Sequence, residues 1–261
     1  MKALQVLLLA TVALLVSCSG DKSTVTVAGS TSVQPFAEMV AEKFTAYHPG
    51  VKILVQGGGS TAGIQAVREG AARIGMVSRE LGAQERDLSP IVMARDGIAV
   101  IVHPSNSIAD LSTEQIRDVF AGTVKDFSNV GGRKGPIWPV TREEGSGTRG
   151  AFIELVMKGK TITPEALVQD SNGSMRELIA NDPGGIGYIS LGLVNDSVKA
   201  VSIDGVRATR DNVVNGTYKL VRPFLFVVAQ APDGLCKQFI DFVLSGEGQR
   251  LLEEEGLIAA K

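Results

Sequence analysis

The stretch TVTVAGSTSVQPFAEMVAEKF, residues 24–44, contains the unit on which the fold reading turns. Thr24 to Ala28 alternate in a strand pattern, and Val33, Phe36, Val40, Phe44 and Tyr47 then recur every three or four residues, as the buried stripe of a helix does. Pro49-Gly50 ends that run. Between strand and helix stand Gly29, Ser30, Thr31 and Ser32. A helix start carries unpaired N–H groups and a partial positive charge, so it suits an anion. Glycine allows close backbone approach, and each hydroxyl can donate or accept. Ser32 alone would serve as an ordinary N-cap, but a cap needs one hydroxyl and three stand here in a row.

The same strand, glycine-hydroxyl turn and helix recur along the chain. Val51 to Val55 lead into Gly57-Gly58-Gly59-Ser60-Thr61, after which Ile64 and Val67 mark a short helix ending near Gly70. Ile74 to Val77 and Ile98 to Val102 read as further strands, the second a long buried one. Ser112 and Gln115 form a capping box before Ile116, Val119 and Phe120, and Thr163-Pro164 reads as the start of another helix. Ile137 to Val140 run into REEGSGTR, residues 142–149, ahead of a helix through Phe152 and Leu155. Ile186 to Leu191 and Phe224 to Val228 are later strands, and a helix pair follows Asp233. Strands alternating with helices predict an α/β fold with mostly parallel sheets.

In the third turn, Arg142 offers a fork of N–H donors to an oxyanion, and Glu144 is positioned to pair with it and orient it. Ser146, Gly147 and Thr148 add hydroxyl and backbone donors. Three such helix starts suggest convergence on a small tetrahedral anion. The apolar strands near 98–102 and 224–228 are both candidates to cross between two lobes, and the clusters lie on both sides of the first. A site built from all three would sit in the cleft, a usual place for small ligands. The expected division is lobe 1 at 25–102 plus 228–261 and lobe 2 at 103–227.

The start of the chain reads differently. Met1-Lys2 followed by the apolar run Leu4–Val16 fits a signal peptide over 1–17, too short to span a bilayer comfortably. Leu15-Val16-Ser17-Cys18 resembles a bacterial lipobox, which implies acylation of Cys18, a polar tether over 18–24 and attachment to a membrane surface. With Cys18 acylated, Cys236 has no disulfide partner, and its spacing with Leu235, Phe239, Phe242 and Val243 marks it as a small core residue. A formal net charge of −2 and 5% aromatics give no basis for nucleic-acid binding. Any anion site must therefore work by local geometry.

Catalytic readings fit poorly. Gly58-Gly59-Ser60-Thr61-Ala62 approaches a nucleophile elbow but lacks the final glycine, and His48 and His103 are the only histidines. His48 reads as a solvated helix-end residue and His103 as a strand-end one. No lysine follows a Walker-type loop, and histidine and cysteine are too few for a familiar zinc site.

Seven segments together resemble the phosphate-binding protein family of bacterial ABC-type phosphate importers. They are AGSTSVQPF (28–36), GGGSTAGI (57–64), IGMVSREL (74–81), VFAG (119–122), REEGSGTRGAF (142–152), GGIGYI (184–189) and LVRPF (220–224). The resemblance runs in matching order over nearly all of the chain after the leader. It implies a two-lobed periplasmic-binding-protein fold, each lobe a mostly parallel sheet flanked by helices, with two crossing strands. It further implies an exported, monomeric, non-enzymatic carrier that hands phosphate to an ABC permease and uses no metal or organic cofactor. By position, the implied ligands are Ser30, Thr31 and Ser32, then Ser60, then Arg142, Ser146, Gly147 and Thr148. A fourth position departs from the family: Ser78 stands where an aspartate usually accepts the phosphate proton and so rejects sulfate. A hydroxyl both accepts and donates, so that rejection should be weaker here. Arg79 beside it is either a second cationic ligand or a residue of the cleft rim, and Phe127 replaces a usual tryptophan. Two alternatives stay open: a binder of sulfate or molybdate, and a phosphate-ester hydrolase.

Overall fold

A computed structural model describes residues 23–260; the expected leader and Cys18 lie outside them. In chain order the first elements are β1 (Thr24–Gly29), α1 (Gln34–Tyr47), β2 (Lys52–Gly57), α2 (Ser60–Arg68), β3 (Ile74–Val77) and β4 (Ser89–Val102). There follow β5 (Asp110–Leu111), α3 (Thr113–Phe120), β6 (Trp138–Arg142), α4 (Gly147–Phe152), β7 (Leu167–Gln169), α5 (Asn172–Asn181) and β8 (Gly185–Ser190). The chain ends through β9 (Lys199–Ala200), β10 (Ser202–Ile203), α6 (Arg210–Val214), β11 (Val221–Val228), α7 (Gly234–Leu244), α8 (Gly246–Glu254) and β12 (Ile258–Ala259).

The main sheet runs β2-β1-β3-β11-β4-β8-β6-β7, with β12 and β9 added beside β4. It is continuous because β4 changes partner partway along. Ser89 to Gly97 pair with β11, and Ile98 to Val102 pair with β8. Side chains at 98–102 of β4 and 224–228 of β11 are buried on both faces, which explains why those segments read as unbroken apolar runs. Along β11, Phe224, Phe226 and Val228 join the core of Phe36, Phe44 and Phe239, while Leu225 and Val227 face Ile64 and Val67. Past Gly97, Ile98, Val100 and Val102 pack with Phe120, Phe152 and Tyr188, and Ala99 and Ile101 pack with Met175 and Ile179. This period-two division gives each lobe a core on both sides of its sheet.

The strand pairing adds detail to two expectations and changes a third. The change of partner falls between Gly97 and Ile98, and β11 pairs with β3 and β4; the expected boundary at 102/103 lies at the end of β4, and that at 227/228 one residue before the end of β11. Parallel pairing holds for β1 with β2 and β3, and for β6 with β7 and β8. The crossing strands run antiparallel to their neighbours, because a chain that leaves a lobe and returns to it must reverse direction. Thr163-Pro164 opens a turn and not a helix: Thr163 N donates to Phe120 O at 2.8 Å, which ties the segment to the end of α3.

Candidate functional site

The three glycine-hydroxyl turns sit at the carboxyl ends of β1, β2 and β6, and Ser78 at that of β3, where open α/β sheets place ligands. Ser30, Ser32, Ser60, Ser78, Arg142, Ser146 and Thr148 are all buried. The two walls meet directly: Ser32 Oγ lies 2.8 Å from Thr148 Oγ1, Arg142 Nη2 donates to Thr31 Oγ1 at 3.1 Å, and Thr61 N donates to Gly145 O at 3.1 Å. Gly147 must be glycine here, since a Cβ would stand 2.2 Å from Ser60 Oγ and 2.5 Å from Ser78 Oγ.

The turns do more than cap helices. Ser32 is not the cap of α1, whose N-cap is Val33 without a side-chain bond; its hydroxyl faces Thr148 instead. Ser60 begins α2 behind Gly59, whose φ of 91° favours glycine. Ser60 Oγ accepts from Ser78 N at 3.1 Å, and Ser30 Oγ donates to Ser78 Oγ at 2.8 Å. Ser146 does cap α4, its Oγ accepting from Arg149 N at 3.2 Å.

Arg142 is 1% exposed, and most of its donors are engaged. Nε donates to Glu143 Oε2 at 2.9 Å and to Gln169 O at 3.1 Å, while Nη2 reaches Glu143 Oε1 at 3.0 Å and Asp170 O at 2.9 Å. Nη1 is buried and has no hydrogen-bond partner among the described residues, a condition shared only by Arg149 Nε. The partner expected at Glu144 is Glu143. The chain turns over Glu143–Ser146, with Ser146 N donating to Glu143 O at 3.1 Å. Glu143 folds back along the guanidinium with both oxygens, whereas Glu144, the next residue of the turn, is exposed.

Arg79 belongs to the rim. It forms a two-pronged pair with Glu85 at 2.6 and 2.8 Å, and a Cβ added to Gly150 of the opposite lobe would stand 2.8 Å from its Cδ. Its contact holds the Glu85 carboxyl below the usual carboxylate range. His48 stacks on Phe44 and His103 lies against Ser105, so neither meets a site hydroxyl. Phe127 is buried in the core of the second lobe.

The sequence reading missed the floor of the cleft. Arg222 of β11 stands directly opposite Asp96 of β4, and the two form an ion pair at 2.9 Å with each side chain 1% exposed. Burial pushes the Asp96 carboxyl up and the Arg222 guanidinium down, and the contact between them opposes both shifts. Asp96 also accepts from Ser190 Oγ at 2.9 Å. Arg222 Nη1 donates to Thr148 Oγ1 at 2.7 Å and Ser78 O at 3.2 Å, and Nη2 donates to Ser32 Oγ at 3.2 Å. Asn172, at the start of α5, donates from Nδ2 to Ser32 Oγ at 2.9 Å. One signal was available: Asp96 and Arg222 each stand in an otherwise largely apolar crossing strand, and such charges are rarely buried unless paired.

An open hollow of about 480 Å³ elsewhere, between α2 and the segment after β11, has a different character. Its arginines, Arg68 and Arg73, are already paired with Asp87 and Asp233. The cleft remains the place where buried donors converge.

Residues 17–247 match the model of the PBP superfamily domain. The chain is 32% identical over 241 residues to the phosphate-binding protein PstS of Bacillus subtilis, covering 90% of this chain and 80% of that one. Among solved structures it resembles a putative phosphate ABC transporter substrate-binding protein with bound phosphate from Clostridium perfringens, with 43% identity and a TM-score of 0.87, covering 91% of this chain and 100% of that one. An ABC-type phosphate transport receptor from Vibrio cholerae is 38% identical with a TM-score of 0.76, covering 90% and 99%.

Proposed function

The chain belongs to the PBP superfamily, within the family of the PstS phosphate-binding proteins, and from that premise we propose that it captures inorganic phosphate in the cleft and delivers it to an ABC-type permease. The observation that carries this reading is Arg142 Nη1, a buried cationic donor without a partner among serine and threonine hydroxyls and a helix start. A buried charged donor left unmatched is costly, and an oxyanion is its natural complement. Ser30, Thr31, Ser32, Ser60, Ser78, Ser146, Gly147 and Thr148 supply the remaining surface. Binding proceeds by lobe closure: the open cleft admits the anion, and donors from both walls then enclose it. Neither histidine stands beside a site hydroxyl as a base would, which favours binding without turnover. Release of product from a chromogenic phosphate ester would count against that.

Titration calorimetry with phosphate, sulfate, arsenate and molybdate tests the ligand directly. Phosphate binding that excess sulfate cannot displace supports the reading, and absence of phosphate binding refutes it. A second reading, capture of a fully deprotonated oxyanion such as sulfate, is favoured by one observation. Asp96 and Glu143, the carboxylates that pair with the buried arginines of the cleft, are both turned onto them. Preferential sulfate binding would establish it.

We also propose export and anchoring through acylated Cys18, with the protein working as a monomer at the membrane surface. No helix among the described residues is long and apolar enough to cross a membrane. Cys18→Ser should release the protein from membranes or leave its precursor unprocessed; unchanged attachment would refute the anchor.

A further inference from the structure

The hydroxyls of this cleft are not free to choose their roles. Ser190 N donates to Asn172 Oδ1 at 3.1 Å. A backbone N–H can only donate, so the orientation of the Asn172 amide follows, and its Nδ2 must donate to Ser32 Oγ at 2.9 Å. Arg222 likewise can only donate, and Nη2 reaches the same oxygen at 3.2 Å. Both lone pairs of Ser32 Oγ are thereby filled. Its proton then goes to Thr148 Oγ1, 2.8 Å away. Thr148 Oγ1 already accepts from Arg222 Nη1 at 2.7 Å, so its own lone pairs are filled as well. The Thr148 O–H is left to donate into the cleft, with no capacity to accept.

We propose that Asn172 and Arg222 are positioning residues that determine specificity: acting through Ser32, they make Thr148 an obligate donor, so this edge of the cleft takes only an unprotonated oxygen of the anion. The opposite edge differs. Ser30 Oγ accepts from Ser32 N and Val33 N at 3.2 and 3.4 Å and donates to Ser78 Oγ. Ser78 Oγ lies 3.4 Å from Ser60 Oγ, and either hydroxyl can be the donor; Ser78 keeps a lone pair whenever it donates to Ser60. An anion that carries a proton must turn it away from Thr148, and Ser78 can receive it when its own proton is given to Ser60. Asp96 holds Arg222 in place, while Arg142 and Glu143 are the charged pair on the neighbouring wall.

This assignment rests on the phosphate reading for its main test. Phosphate and sulfate affinities are measured by calorimetry across the second ionisation of phosphate, sulfate serving as an anion that stays unprotonated throughout. In the parent, phosphate affinity should rise relative to sulfate as dihydrogen phosphate loses a proton. In Asn172→Ala, Thr148 gains the freedom to accept, and that rise should shrink by roughly threefold to tenfold, the worth of one neutral hydrogen bond. Ser32→Ala breaks the same chain at its next link and should shrink the rise equally. Adding Asn172→Ala to Ser32→Ala should then change it no further. A purely structural role for Asn172 would weaken phosphate at every pH and sulfate by the same factor; a rise left intact in folded Asn172→Ala or Ser32→Ala overturns the proposal. If the parent binds sulfate and not phosphate, the phosphate reading alone fails. The proton chain is then judged by Thr148→Val, which must cost sulfate more in the parent than in Asn172→Ala. Equal cost overturns it, as does a parent that binds neither anion.

Discussion

Two arginines lie buried in the same cleft, and their surroundings give them different work. On the floor, Arg222 is held by Asp96, and all three of its nitrogens have partners. On the wall, Arg142 is held by Glu143 and by the carbonyls of Gln169 and Asp170 at the end of β7, yet one nitrogen has none. Both guanidiniums are fixed, but only Arg142 has a donor to offer a ligand. Burial of a positive charge therefore does not by itself mark a candidate binding residue; the contrast between these two lies in the unmatched donor of Arg142. In the readings proposed above, the floor arginine sets the polarity of its neighbours and the wall arginine meets the anion.

The largest expected effect breaks the floor. Asp96→Asn leaves the Arg222 charge buried without its counterion, and unfolding free energy should fall by about 3–5 kcal/mol. A denaturation midpoint unchanged from the parent would mean that the pair does not hold the crossing strands together. Next comes the wall, where the loss should be in binding and not in stability. Arg142→Ala removes a charge-assisted bond, so phosphate should weaken by about tenfold to a hundredfold or more in titration calorimetry. A near-normal affinity would remove Arg142 from the site and with it the contrast between the two residues.

Sharper discrimination comes from the adjacent acids. Glu143→Gln keeps a shape that still accepts from Arg142 but loses charge, and should weaken phosphate by roughly threefold to tenfold. Glu144→Gln should leave affinity unaltered. The reverse order would restore the sequence expectation. The smallest effect concerns a third arginine, Arg79 on the rim. Glu85 has a carboxyl pKa held below its unfolded value by Arg79. Its stabilisation is therefore present above the ordinary carboxylate range and lost as pH falls through the depressed value. Being half-buried at the surface, the pair should contribute only roughly 0.2–1 kcal/mol. Denaturation midpoints of the parent and Glu85→Gln should differ near neutral pH and converge in acid; a constant difference would mean that the pair contributes nothing.

Much of this was legible before any coordinates. The alternation from Thr24 to Phe44 gave way to β1 and α1 with ends shifted by a residue, and the capping box at Ser112 and Gln115 starts α3 as written. Such features depend on neighbours within one turn of helix or one strand, so local pattern specifies them. Thr163-Pro164 failed as a helix start for the opposite reason, because its backbone is tied to Phe120, far back in the chain.

Read alone, the chain pointed to the three hydroxyl turns and Arg142 as candidate anion-binding material, since glycine, hydroxyls and a helix start stand together within a few residues. It could not say which acid would orient Arg142, because Glu143 and Glu144 have the same chemistry and only the path of the turn separates them. Nor could it pair Asp96 with Arg222, set Asn172 against Ser32, or bring Ser32 to Thr148. Those partners are 126, 140 and 116 residues apart. Their meeting depends on where β4 and β11 cross and how the two lobes close. Hydroxyl polarity in particular is a property of a completed network, because the direction of each O–H follows from which lone pairs its distant neighbours have already filled.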